Sequence, residues 1–181
     1  MGACSKPSYS AAFHKAVPTK GIDQARFSEA VRREANFRRC KAGRKDQALA
    51  PELTRIAASW SKSMASRRKL SHGAFKSRAR STGLKYKTAA ENVAALPRYQ
   101  FREQRFAIVN AKACRFASGG KTIPPHSYAS LAQAVVAMWM ASPGHKKNLM
   151  RSRPTLSGAG VGFDKTAPNC GQFYITQDYL G

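Results

Sequence analysis

Apolar residues recur at helical spacing in three stretches of the chain and change to a two-residue alternation only near its end. Phe27, Ala30, Val31, Ala35 and Phe37 predict a first helix, with Ser28 as its N-cap and Gly43 as its stop. Pro51, at a first-turn position and followed by Glu52, opens a second helix, whose apolar face runs through Leu53, Ile56, Ala57, Trp60 and Met64 to Leu70. Residues 71–90 lose the period and are rich in Ser, Gly, Lys and Arg, which predicts an exposed loop ending at Glu91-Asn92-Val93. An irregular or extended stretch through Pro97 and a short strand at Phe106–Val109 follow. A third helix spans about Ser127–Met140 after Pro124-Pro125 and ends at Ser142-Pro143-Gly144. Gly158–Phe163 and Phe173–Tyr179 read as two strands. Helices first and strands last, with no internal repeat, predict an α+β domain over residues 25–181. Residues 1–24 have no periodicity and read as a flexible leader or linker.

The charge balance changes what such a domain would meet. The 181 residues carry 32 Lys and Arg against 9 Asp and Glu, a formal net charge of +23, yet 43% are hydrophobic, so the chain can build a core. The surplus draws it to polyanions such as anionic lipid, lipopolysaccharide, wall polymer or nucleic acid. No helix-turn-helix, zinc finger or aromatic-basic ribonucleoprotein pattern is present, so only nonspecific nucleic-acid affinity is expected. No run approaches membrane-spanning length, because Lys or Arg interrupts nearly every decade of the sequence.

Cys4, Cys40, Cys114 and Cys170 form no C-x-x-C pair and read as two disulfides in an oxidising compartment, with Cys114–Cys170 the favoured pairing of three. The opening Met1-Gly2-Ala3-Cys4 resembles the end of a bacterial lipoprotein signal. The plainer reading is a chance cysteine in a disordered leader.

Chemistry concentrates on few residues. His72 and His145 follow predicted helix ends, whereas His14 lies in the leader and His126 just before the third helix. Between Leu53 and Arg102 the only carboxylate is Glu91, among many cations. It could orient an imidazole, accept a proton or act as a solvated counter-ion.

The succession Asn36-x-x-Arg39, Leu70-Ser71-His72, Glu91-Asn92-Val93-Ala94, Trp139-Met140, Ser142-Pro143-Gly144-His145-Lys146-Lys147-Asn148-Leu149, Gly160-Val161-Gly162 and Tyr174-Ile175-Thr176-Gln177-Asp178 resembles the CAP superfamily, in its bacterial branch. These are the cysteine-rich secretory, antigen 5 and pathogenesis-related proteins, with the SCP-like domain. The resemblance implies a three-layer α-β-α sandwich and an extracytoplasmic location; together with the Cys4 reading, the expectation is a secreted, periplasmic or lipid-anchored protein. The resemblance also implies a cleft where His72 and His145 meet Glu91, with Ser71, Asn92, Ser142 and Gln177 as ligand-binding candidates. Ala90 stands where the family's Gly-Glu-Asn motif has glycine, and the family's second acid has no counterpart in Met140-Ala141-Ser142. Two imidazoles could hold Zn²⁺ at an open site, although zinc sites normally use three or four protein ligands. A metal-free hydrolase would use Glu91 and an imidazole as general base. The reading that needs no missing residue is a binding module for a lipid, peptide or cell-envelope ligand, with the ten Lys and Arg from Arg55 to Lys87 favouring an anionic one.

Overall fold

The computed structural model describes residues 4–101 and 104–181. Among them a short α1 (Ala11–His14) precedes α2 (Gln24–Lys41), β1 (Ala48–Leu49), α3 (Pro51–Arg67), α4 (Phe75–Arg80) and the long β2 (Ala89–Pro97). A small hairpin region β3 (Ala107–Asn110), β4 (Arg115–Ser118) and β5 (Lys121–Thr122) leads to α5 (Tyr128–Ala141), α6 (Pro143–Leu149), β6 (Leu156–Asp164) and β7 (Gln172–Leu180).

β6 and β7 form an antiparallel hairpin. β2 pairs antiparallel with β7 and β1 parallel with β6, giving the sheet order β1-β6-β7-β2. Strand alternation assigns each residue to a layer. Gly158, Gly160 and Gly162 face α3, so closely that a Cβ at any of them would collide with the helix backbone. Thr176 on the same face hydrogen-bonds Ser61 of α3 at 2.9 Å. The opposite face carries Ala94, Leu96, Ala159, Val161, Phe173 and Ile175, packed with Phe27 and Val31 of α2 and Leu131, Val135 and Trp139 of α5. The molecule is therefore an α+β, three-layer sandwich with α3 on one side and α2 and α5 on the other.

Arg39 of α2 is fully buried. Its guanidinium donates to the carbonyls of Lys45 (2.9 Å), Leu149 (2.7 Å) and Arg151 (2.8 Å), which fixes the end of α6. Asn36 and Gln47 exchange two hydrogen bonds that hold β1 beside α2. Ser28, expected as an N-cap, lies one turn inside α2, where its hydroxyl accepts from the Ala159 amide and contacts Thr54. Asp23 caps the helix instead, accepting from the Arg26 amide.

Residues 4–23 differ from the flexible leader expected of them. Tyr9 donates to Glu34 (2.9 Å), Val17 is buried, and the Val17 amide donates to the His126 carbonyl. Cys4 is bonded to Cys40, and Cys114 to Cys170 as expected. A sulfur held in a disulfide has no thiol left to carry a thioether lipid, so the bond to Cys40 is at odds with the lipoprotein-signal reading of Cys4. No helix among the described residues is long and apolar enough to cross a membrane.

Candidate functional site around His72 and Glu91

The site grows from the edge strand β2 and the segment that follows α3. Arg68 takes a left-handed conformation that ends α3. Trp60, on the last turns of that helix, donates from its indole to the Ser71 carbonyl at 2.8 Å. Gly73 has φ +48°, and a Cβ there would lie 2.3 Å from the Trp60 ring, so glycine is required for the chain to pass over the indole directly after His72. The same ring carries the guanidinium of Arg78 from α4, 4.0 Å above its centroid.

These contacts aim two side chains at Glu91. Its carboxylate, 1% exposed, receives His72 Nδ1 at 2.7 Å on one oxygen and Arg78 on the other. The His72 side chain is 58% exposed, and its other ring nitrogen has no hydrogen bond among the described residues. The Glu91–His72 couple is thus a buried carboxylate orienting an accessible imidazole.

A second acid lies beneath it. Asp178 of β7 is the register partner of Glu91, so both side chains project on the α3 face. Treated as a carboxylate, Asp178 has no donor for either oxygen among the described residues. Its carboxyl meets that of Glu91, and only a shared proton makes that contact favourable. Burial, and next the negative charge of Glu91, hold Asp178 well above the usual carboxyl range. Burial also raises Glu91, against the pull of His72 and Arg78. Glu91 therefore carries the charge and Asp178 the proton.

This arrangement has a sign that can be measured. The folded pair binds more protons than the unfolded chain once pH rises past about 4, the ordinary carboxyl range. Its contribution to stability is full below that and falls as pH climbs through the raised folded values. Asp178→Asn is expected to melt above the wild type at pH 7, by roughly 2–4 °C for each kcal/mol of relieved burial, and to show a flatter stability profile from about pH 4 to 7. Thermal denaturation across that range decides it: a variant with the wild-type slope would place the charge elsewhere.

On the other face of β2 the alternation puts Asn92. Asn92 Nδ2 donates to the His145 carbonyl and the Tyr179 hydroxyl, both at 3.1 Å, and Tyr179 donates to Gln177 at 2.7 Å. Asn148 of α6 donates to the Glu91 carbonyl and to Asn92 Oδ1, each at 3.1 Å. Asn92 and Gln177, expected as ligand contacts, are thus buried and hydrogen-bonded inside the protein, at 0% and 1% exposure. Asn92 holds α6 through the His145 carbonyl and Asn148, and neither residue lines the cavity beside Glu91. The Ser71 hydroxyl accepts from the Gly73 amide, and Ser142 sits at the junction of α5 and α6. Burial, and then the nearby His72, lower the pKa of His145, which favours its neutral form. Its Nδ1 is buried without a partner among the described residues.

For a divalent cation these residues offer two imidazoles and little else. Both oxygens of Glu91 are committed, one to the guanidinium of Arg78, and no group of three or more His, Cys, Asp or Glu side chains converges among the described residues. The donor set does not fit a zinc site of the usual composition.

The cleft itself is a cavity of about 460 Å³ beside Glu91. Phe75, Tyr86, Ala89 and Ala90 give it an apolar wall, and Lys76, Arg80 and Arg151 give it cations. In the sequence Lys76, Arg78 and Arg80 are only members of the basic run from Arg55 to Lys87 and Asp178 only the end of a family motif, while Arg151 carries no signal at all. The cations are a few among many, and the pairing of Asp178 with Glu91 depends on a strand register that no local pattern displays.

Sandwich, edge-strand acid and histidine together define an SCP-type domain. The model of the cysteine-rich secretory protein family, CAP, matches residues 31–179, and the chain belongs to this family. No curated protein sequence matches it. Among solved structures, it is similar to an extracellular protein containing an SCP domain from Bacillus anthracis, with 21% identity and a TM-score of 0.56 over 90% of this chain and 42% of that one. An outer surface protein from Borrelia burgdorferi gives 16% identity and a TM-score of 0.55 over 88% of this chain and 97% of that one. A cysteine-rich secretory protein from Staphylococcus aureus gives 18% and 0.55 over 90% and 40%. The chain thus spans less than half the length of the Bacillus and Staphylococcus proteins, and at these identities the likeness carries the fold.

Proposed function

We propose that this chain is an extracytoplasmic binding domain whose cleft beside His72 and Glu91 takes a cell-envelope ligand with an anionic head and an apolar portion. The observation that carries this reading is the cavity lining, in which Phe75 and Tyr86 are joined by Lys76, Arg80 and Arg151, and in which Glu91, paired with Arg78, is the one acid among the described residues. Apolar area gives affinity, and the few charged groups set orientation. Two disulfides suit an oxidising compartment, in keeping with the extracellular and outer-surface descriptions of similar structures.

Monomeric dihexanoyl phosphatidylglycerol is a suitable probe. Calorimetry should show saturable binding of one molecule per chain, weakened about tenfold or more in Arg80→Gln/Arg151→Gln, since each charge-assisted contact contributes about 1.5–3 kcal/mol. Equal affinity in that variant, or no saturable binding, would overturn the reading.

A second reading rests on the 2.7 Å Glu91–His72 contact, which is the geometry of an oriented general base. A His/Glu hydrolase acting on ester, peptide or wall substrates should lose about 10²–10⁴-fold in rate in His72→Ala. Absence of turnover by the wild type across those substrates would remove it.

A further inference from the structure

Beyond the cleft, three of the five large apolar side chains exposed among the described residues gather on one element, the other two being Leu70 and Met138. Ile108 is 57% exposed, Val109 58% and Phe106 37%, and all belong to β3 or the residue before it. Adjacent residues on a regular strand face opposite ways, but the register with β4 shifts between Ile108 and Asn110, and both aliphatic side chains stay in solvent.

The element is held firmly. Phe106 stacks on Phe101 with ring centroids 4.2 Å apart, Phe101 and Phe116 meet edge to face at 5.0 Å, and Tyr99 and Ile123 complete the cluster. Cys114, in the turn between β3 and β4, is bonded to Cys170 in the connection between β6 and β7. An edge strand with exposed β-branched residues invites self-association unless something occupies it.

The charge around it indicates what that is. Arg105, Lys112, Arg115 and Lys121 are all exposed on the same hairpin region. From Gln104 to Phe163 the chain has no Asp or Glu. An apolar hairpin that carries exposed cations, with no acid in its own sequence from Gln104 to Phe163, is complementary to an anionic bilayer surface. Aliphatic side chains can enter the acyl boundary while Lys and Arg stay at headgroup level.

We infer that the β3–β4 hairpin is a membrane-docking element, which seats Ile108 and Val109 in the interface of an anionic lipid bilayer and holds the domain against it through Arg105, Lys112, Arg115 and Lys121. Docking does not use the cleft and stands whether or not the cleft takes a lipid.

The test is sedimentation of the full chain with vesicles of phosphatidylcholine containing about one third phosphatidylglycerol. Ile108→Thr/Val109→Thr keeps strand propensity and removes apolar surface. It should lower vesicle affinity at least about tenfold, while retention on heparin, the melting temperature and cleft binding of monomeric dihexanoyl phosphatidylglycerol stay as in the wild type. In Ile108→Trp, the added emission should be quenched by vesicles with brominated acyl chains. Wild-type affinity in the threonine variant, or unquenched emission from the tryptophan, would reduce the attraction to charge alone and overturn the inference. So would a wild-type dimer in light scattering that dissociates in the threonine variant, because a second copy would then cover this edge.

Discussion

Gly160→Ala is expected to cost about 4 kcal/mol or more and to lower the melting temperature by roughly 10 °C. A Cβ at this position would lie 2.1 Å from the Ala58 nitrogen and 2.3 Å from its Cα, both helix backbone, so no rotamer change relieves the contact. Overpacking a core usually costs about 1–3 kcal/mol because side chains give way. Here α3 must move away from β6 as a body. That movement breaks the bonds from Ser61 Oγ to the Gly160 carbonyl (3.0 Å) and to Thr176 (2.9 Å), and loosens the packing of Leu53, Ala57 and Met64. Because α3 carries Trp60 and leads directly into Ser71 and His72, the cleft should be lost along with stability. Urea or thermal unfolding checks this: a midpoint within about 2 °C of the wild type would mean that the helix is not seated as closely as the structure places it.

The same close approach bears on how far a sequence can be read. α2, α3 and α5 are legible because each turns one apolar face to the sheet and a more polar one away from it. β2 is not, because Ala89–Pro97 is an Ala-rich strand covered on both faces over most of its length, and so has no alternation to display. Ser142-Pro143-Gly144 was read as a stop. Proline suits a first helical turn as well as it ends a preceding one, and here α5 ends and α6 begins at the same residue. The leader gave no period because its anchors are long-range: Cys4 to Cys40, Tyr9 to Glu34, Val17 to His126. At the site, the motif order singled out His72, Glu91 and His145. Which neighbours would set their charge depended on register and on α4, a six-residue helix in a stretch read as loop.

The charge arrangement leads to the other large effect. Glu91→Ala should cost about 3–5 kcal/mol, the usual penalty for removing one partner of a buried ion pair. Arg78 is only 16% exposed in its side chain and would lose its carboxylate while still pinned over Trp60. His72 would lose the bond that fixes its ring, so any function of the imidazole should fall even in the surviving folded protein. Asp178 makes this loss smaller than it would otherwise be. Without Glu91 above it, Asp178 no longer faces a like charge, and the attraction of Arg78 favours its ionised form. The remaining acid can then take over as counter-ion. A double-mutant cycle exposes that transfer. Asp178→Asn is stabilising in the wild-type background, where Asp178 is a buried proton carrier, and should become destabilising in Glu91→Ala, where it has become the only negative group beneath Arg78. The expected coupling is about 1–3 kcal/mol. Additive effects in chemical denaturation would show that the two carboxyls do not share a proton, and Asp178 would then be a buried acid independent of the site.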